Sequence, residues 1–125
     1  KEASEQTYQR MVELARTMLL AGYNAIIDAA NLKQSQRQLF FDEADSLSLP
    51  CKILHYTAEP DTLRKRVKQR MEQEKDASDA TLDVLEHQLK THETLSEFEN
   101  RNMININTET EIDLDKTIET IKQFN

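Results

Sequence analysis

The 125-residue chain holds one cysteine, one glycine and two prolines. It has no apolar run of the roughly 20 residues that a membrane-spanning helix needs. Each shortage excludes something. A lone cysteine, Cys51, permits neither an internal disulfide nor a cysteine-rich zinc site. It suits a reducing compartment, so cytoplasm is the expected location. No secretory signal opens the chain, and no membrane association is expected. A lone glycine, Gly22, rules out any phosphate-binding loop of the form G-x-x-x-x-G-K-[ST] within these residues. Positive charge is also scarce: 16 Lys and Arg stand against 23 Asp and Glu, a formal net charge of −7. That balance argues against nucleic-acid or anionic-membrane binding driven by overall attraction.

What is present suits a soluble globular fold: 38% of residues are hydrophobic and 31% charged. The length fits one α/β domain over residues 1–125. Residues 5–21 predict a helix, with Tyr8, Met11, Val12, Ala15, Met18 and Leu19 on one face and Gly22 as its left-handed cap. "NAIID" (24–28) reads as a short strand buried on both faces. Ser35 and Gln38 have capping-box spacing and predict a helix to about Leu47, with Leu39, Phe40, Ala44 and Leu47 inside. "CKILHYT" (51–57) is the next strand, and Pro60 opens a helix through about Gln73. Ser78 is placed to cap a helix bearing Leu82, Leu85 and Leu89. "NMININ" (102–107) is a third strand, and Asp113 or Asp115 opens a last helix with Leu114, Ile118 and Ile121 inside. Strands alternating with helices predict a mostly parallel sheet covered by helices on both faces. Ligands of such sheets sit at the carboxyl ends of the strands, where Asp28, Thr57 and Asn107 fall.

Two features carry chemistry. Asp28 ends a strand-type run, where a carboxylate either orients a hydrated Mg²⁺ or a nucleophile, or simply starts a turn. "RKRVKQR" (64–70) packs five cations into seven positions. With Leu63, Val67 and Met71 buried, Arg66 and Arg70 border the packed stripe and lean over its edge, as phosphate-binding guanidinium groups would. The bland alternative is a solvated face paired internally with Glu72 and Glu74. His87 and His92 lack the spacing of a helical zinc site. Cys51 and His55 read as strand residues, and Glu86, Gln88 and Glu93 as one polar helix face. "EQEKDASD" (72–79) has almost nothing apolar to anchor it and reads as a mobile segment.

Together, "GYNAIIDAANLKQSQRQLF" and "LRKRVKQR" resemble P-loop kinases of the polynucleotide-kinase and gluconate-kinase type over about residues 5–107. "DASDATLDVLEHQL" is similar to the stretch after the lid in predicted bacterial kinases of that group, some of them fused to aminoglycoside-phosphotransferase-like domains. The resemblance implies a three-layer P-loop NTPase fold, with ATP and Mg²⁺ as cofactors. Asp28 would correspond to the Walker-B-like position, near Mg²⁺ through water. Arg66 and Arg70 would be lid arginines on the ATP phosphates. Asn31 and Arg37 would face a small-molecule hydroxyl acceptor. The family's phosphate-binding loop and first strand are missing, so the chain resembles the carboxy-terminal portion of such a kinase. Alone it is expected to be inactive. Its missing central strand would be filled by an upstream segment or by a second copy, or closed by direct pairing of 24–28 with 51–57. The rival expectation is a catalytically silent α/β module that docks a protein through its basic helix.

Overall fold

A computed structural model of the protein describes residues 2–73 and 81–123, with side chains from residue 4 onward. The chain is a mixed α/β protein whose described residues fall into two compact units, residues 1–51 with 93–96 and residues 52–92 with 97–125.

In the first unit, α1 (Glu2–Leu20) packs on α2 (Gln34–Ser46). The predicted stripe of α1 turns inward: Tyr8 and Ala15 are buried, and Met11, Val12 and Leu19 half-buried, while Met18 stays exposed. Phe41 and Ala44 bury the facing side of α2, and the Tyr8 and Phe40 rings meet at 6.2 Å in a tilted arrangement. Burying Phe41 alone contributes about 1.5–3 kcal/mol. Gly22 does what its position predicts. At φ +87° it takes the left-handed conformation, with its N–H on the Leu19 carbonyl at 3.0 Å and the Tyr23 N–H on the Met18 carbonyl at 3.0 Å. These are the two bonds of a Schellman cap. Helix α2 ends the same way without a glycine: Ser48, at φ +55°, donates to Asp45 O, and Leu49 donates to Ala44 O, each at 2.9 Å.

Helix α2 begins at Gln34, one residue before the predicted Ser35 cap. Gln36, not Gln38, reaches back, its Oε1 accepting from the Lys33 N–H at 3.2 Å. The Gln38 amide instead donates to Asp42 at 2.7 Å. The larger correction is Asn24–Asp28, which forms no strand. A strand exists only through its ladder, and among the described residues no backbone hydrogen bond reaches 24–28. Ile26 is accordingly 87% exposed. Direct pairing of this stretch with 51–57 does not occur.

In the second unit, β1 (Ile53–Thr57) pairs in parallel with β2 (Met103–Asn107), Ile53 opposite Met103 and Thr57 opposite Asn107. Ile106 is buried there. Helix α3 (Pro60–Gln73) leaves the end of β1 and packs on α4 (Leu82–Thr91). The predicted Ser78 cap, and residues 74–79 of the segment expected to be mobile, lie outside the described residues. Thr81 caps α4, its hydroxyl accepting from the Val84 N–H at 3.3 Å. Leu82, Leu85 and Leu89 are half-buried. A short helix, α5 (Glu97–Arg101), which no apolar spacing announces, carries the fully buried Glu99 into β2. Asp113 caps α6 (Leu114–Lys122), accepting from the Lys116 N–H at 2.9 Å. The expected inner face of α6 is outward: Leu114 is 66% exposed, Ile118 47% and Ile121 41%. The described sheet has two strands, too narrow to cover that stripe.

Candidate functional site

The carboxyl ends of β1 and β2 meet the start of α3, and two residues that follow β2 tie them together. The Thr108 N–H and hydroxyl both donate to the Thr57 carbonyl, at 2.8 and 2.9 Å. The Arg66 guanidinium, from the second turn of α3, donates Nη1–H to the Thr108 hydroxyl and Nη2–H to the Thr108 carbonyl, each at 2.7 Å. Next along the chain, Glu109 accepts from the Glu59 N–H at 3.2 Å and from the Thr62 hydroxyl. Glu109 thus places a carboxylate at the N-terminal end of α3, on the Glu59 N–H and the Thr62 hydroxyl, where negative charge is favoured. The Thr62 hydroxyl first, then the Glu59 N–H and the Arg66 charge, hold the Glu109 carboxyl below the usual glutamate range. The loop is braced from β2 as well, the Asn107 side chain accepting from the Glu109 N–H at 3.0 Å.

The cations of α3 are used unequally. Arg64 is committed to structure: Nε and Nη2 donate to both Glu86 oxygens on α4, at 2.5 and 3.2 Å, and Nη1 to Asp61 at 2.8 Å. This fork lowers the Glu86 pKa and raises that of Arg64. Glu72 supplies no ion pair to Arg66 or Arg70. Arg70 is exposed, with no hydrogen-bond or ion-pair partner among the described residues.

The other candidate residues lie in the first unit. Asp28 is exposed in the irregular stretch before Asn31. Asn31 takes φ +49°, a conformation that costs a side-chain-bearing residue about 1–2 kcal/mol. Its N–H donates to the Tyr8 hydroxyl at 3.0 Å and its amide nitrogen to Ala29 O at 3.2 Å. Its Oδ1 is buried without a hydrogen-bond partner among the described residues. Arg37, 5% exposed, donates to Asn31 O at 2.9 Å and to Thr94 O at 3.3 Å. The segment it grips is fastened a second time by Glu93, whose N–H donates to Leu32 O and whose carboxylate accepts from the Gln34 N–H, each at 2.7 Å. The structure therefore brings Asn31 and Arg37 together in one unit and sets Arg66 at the strand ends of the other.

An AAA domain family model matches residues 1–95. The chain belongs to this AAA domain family. The family is P-loop NTPase-like and includes kinases, and proteins of this kind generally bind nucleotide with Mg²⁺. No curated protein matches the chain. All five candidate residues, Asp28, Asn31, Arg37, Arg66 and Arg70, fall inside the AAA domain match, whereas Thr108 and Glu109 come after it. Among the described residues no group of three or more His, Cys, Asp or Glu side chains could hold a metal. A Mg²⁺ ion that keeps most of its water takes only one or two carboxylates besides phosphate oxygens. No described helix is long and apolar enough to cross a membrane.

Several residues of these networks escape sequence reasoning. Tyr8 reads as core, and its hydroxyl role has no spacing signature. Glu93 reads as part of a polar helix face, yet it lies past the end of α4 and caps α2. Thr108 and Glu109 are the nearest to legible, since they directly follow Asn107 at a strand's carboxyl end.

Proposed function

We propose that the chain is the part of an ATP-dependent phosphotransferase that carries the lid arginines and the strand-end aspartate, and that the enzyme moves the γ-phosphoryl group of ATP to a hydroxyl acceptor. The observation that carries this reading is Arg66, held at the carboxyl ends of β1 and β2 in a chain of a P-loop NTPase-like family. Mg·ATP supplies the phosphoryl group and a divalent charge. Asp28 orients the cation's water shell. Arg66 and Arg70 bind phosphate oxygens and neutralise charge that grows on them during transfer. Asn31 offers its unsatisfied Oδ1 to a donor on the acceptor side, and Arg37 holds the Asn31 backbone in place. The backbone cradle for the phosphates comes from polypeptide outside these residues, since one glycine cannot build it. The same absence supports a second reading, a catalytically silent interaction module with the basic side of α3 as its docking face.

Isothermal titration of residues 1–125 with Mg·ATP is expected to show no tight binding. A protein that joins this chain to a G-x-x-x-x-G-K-[ST] loop is expected to be thermally stabilised by Mg·ATP and to lose turnover on Arg66→Gln or Arg70→Gln. Tight, stoichiometric binding by the chain alone refutes the placement of the loop. No Mg·ATP stabilisation of the joined protein favours the silent module.

A further inference from the structure

Arg64 and Arg66 stand two residues apart on α3 and are treated in opposite ways. Arg64 meets two carboxylates, so its charge is spent inside the fold. Arg66 hydrogen-bonds only to neutral oxygens, the hydroxyl and the carbonyl of Thr108, and forms no ion pair among the described residues, although the Glu109 carboxylate next along the chain is near enough to feel its charge. We propose that Thr108 is a positioning residue that braces Arg66 for an anionic, phosphate-bearing ligand; this rests on the phosphotransferase reading of the site.

The geometry of the brace is specific. A guanidinium has five N–H groups in one plane. Two of them reach the two oxygens of a single residue, and that two-point contact fixes the plane. The remaining three have no hydrogen-bond partner among the described residues, and the guanidinium stays cationic, since neutral oxygens take none of its charge. The Thr108 hydroxyl spends its own hydrogen on the Thr57 carbonyl, so toward Arg66 it can only accept. The brace is itself anchored. Thr108 N–H is bonded to the end of β1, and Glu109 ties the next residue to the first turn of α3 through Glu59 and Thr62. An exposed arginine otherwise loses its rotamer freedom only when the ligand arrives, which weakens binding. A guanidinium already held in place avoids that loss.

The test uses the 125-residue chain and inorganic tripolyphosphate with Mg²⁺ as the probe, followed through the arginine Nε–H resonances. Wild type is expected to bind in the millimolar range, with the Arg66 signal shifting. Thr108→Val keeps the shape and removes the hydroxyl acceptor, leaving the carbonyl as the single point of contact, and is expected to weaken binding about two- to tenfold. Thr108→Ser keeps the hydroxyl and is expected to restore wild-type affinity. Far-UV circular dichroism verifies that both variants are folded. Wild-type affinity in Thr108→Val overturns the brace, as does a Thr108→Ser variant as weak as Thr108→Val, or no binding by wild type. Arg66→Gln separates the two levels. If it binds as wild type does, Arg66 has no phosphate role and the lid assignment falls too. If it weakens binding while Thr108→Val does not, only the brace is refuted.

Discussion

Replacing Arg37 with methionine asks whether a buried arginine is present to hold the fold or to meet a ligand. Methionine keeps the length of the stem and removes the guanidinium. The hydrogen bonds to Asn31 O at 2.9 Å and to Thr94 O at 3.3 Å go with it. Hydrogen bonds to charged groups are worth about 1.5–3 kcal/mol each. Against this stands the cost of desolvating the guanidinium in the native state, which the variant escapes. The balance is a loss of about 2–4 kcal/mol, a large share of the 5–15 kcal/mol typical of a domain. Arg37→Lys should recover little, because an ammonium lacks the planar fork that spans two carbonyls. Urea denaturation followed by circular dichroism is the assay. With a slope of about 2 kcal/mol per molar, the middle of the usual range in urea, the Arg37→Met midpoint should drop by roughly 1–2 M. The exposed Arg66→Gln should leave it almost unmoved. A loss below about 1 kcal/mol in Arg37→Met would refute the reasoning and return Arg37 to the list of residues that face a ligand directly.

The two Schellman caps make a reciprocal pair. A Cβ at Gly22 would meet nothing within 4 Å, so Gly22→Ala should destabilise by about 1–2 kcal/mol through backbone conformation alone. Ser48→Gly, at φ +55°, should stabilise by a similar amount, and equal or inverted signs in thermal melts would contradict the caps. Glu109 makes stability depend on acid. Its folded pKa lies below the unfolded value, so its contribution is complete above the ordinary glutamate range and is lost as pH falls through the depressed value. The stability difference between wild type and Glu109→Gln should stay constant from neutral pH down to the ordinary glutamate range and shrink only below it. A pH-independent difference would show that Glu109 is not held ionised by α3.

Local pattern determined a good part of this protein. The stripe Tyr8, Met11, Val12, Ala15 and Leu19 made α1, and Gly22 ended it, because a left-handed cap position strongly favours glycine. Pro60 opened α3, Asp113 capped α6, and strands separated by helices gave parallel pairing. The α3 stripe is only partly covered: Leu63 and Val67 are half-buried and Met71 is exposed, with Arg66 and Arg70 exposed beside them. Tertiary structure decided everything that depends on a partner distant in sequence. "NAIID" has the composition of a strand, but a strand needs a neighbouring ladder, and composition does not supply one. The α6 stripe has the right period, but burial needs a surface to cover it. Arg37 and Arg66 look alike in a helical pattern. One is buried on the carbonyls of Asn31 and Thr94, and the other is exposed and braced by Thr108, because a side chain's partners are set by which backbone folds past it.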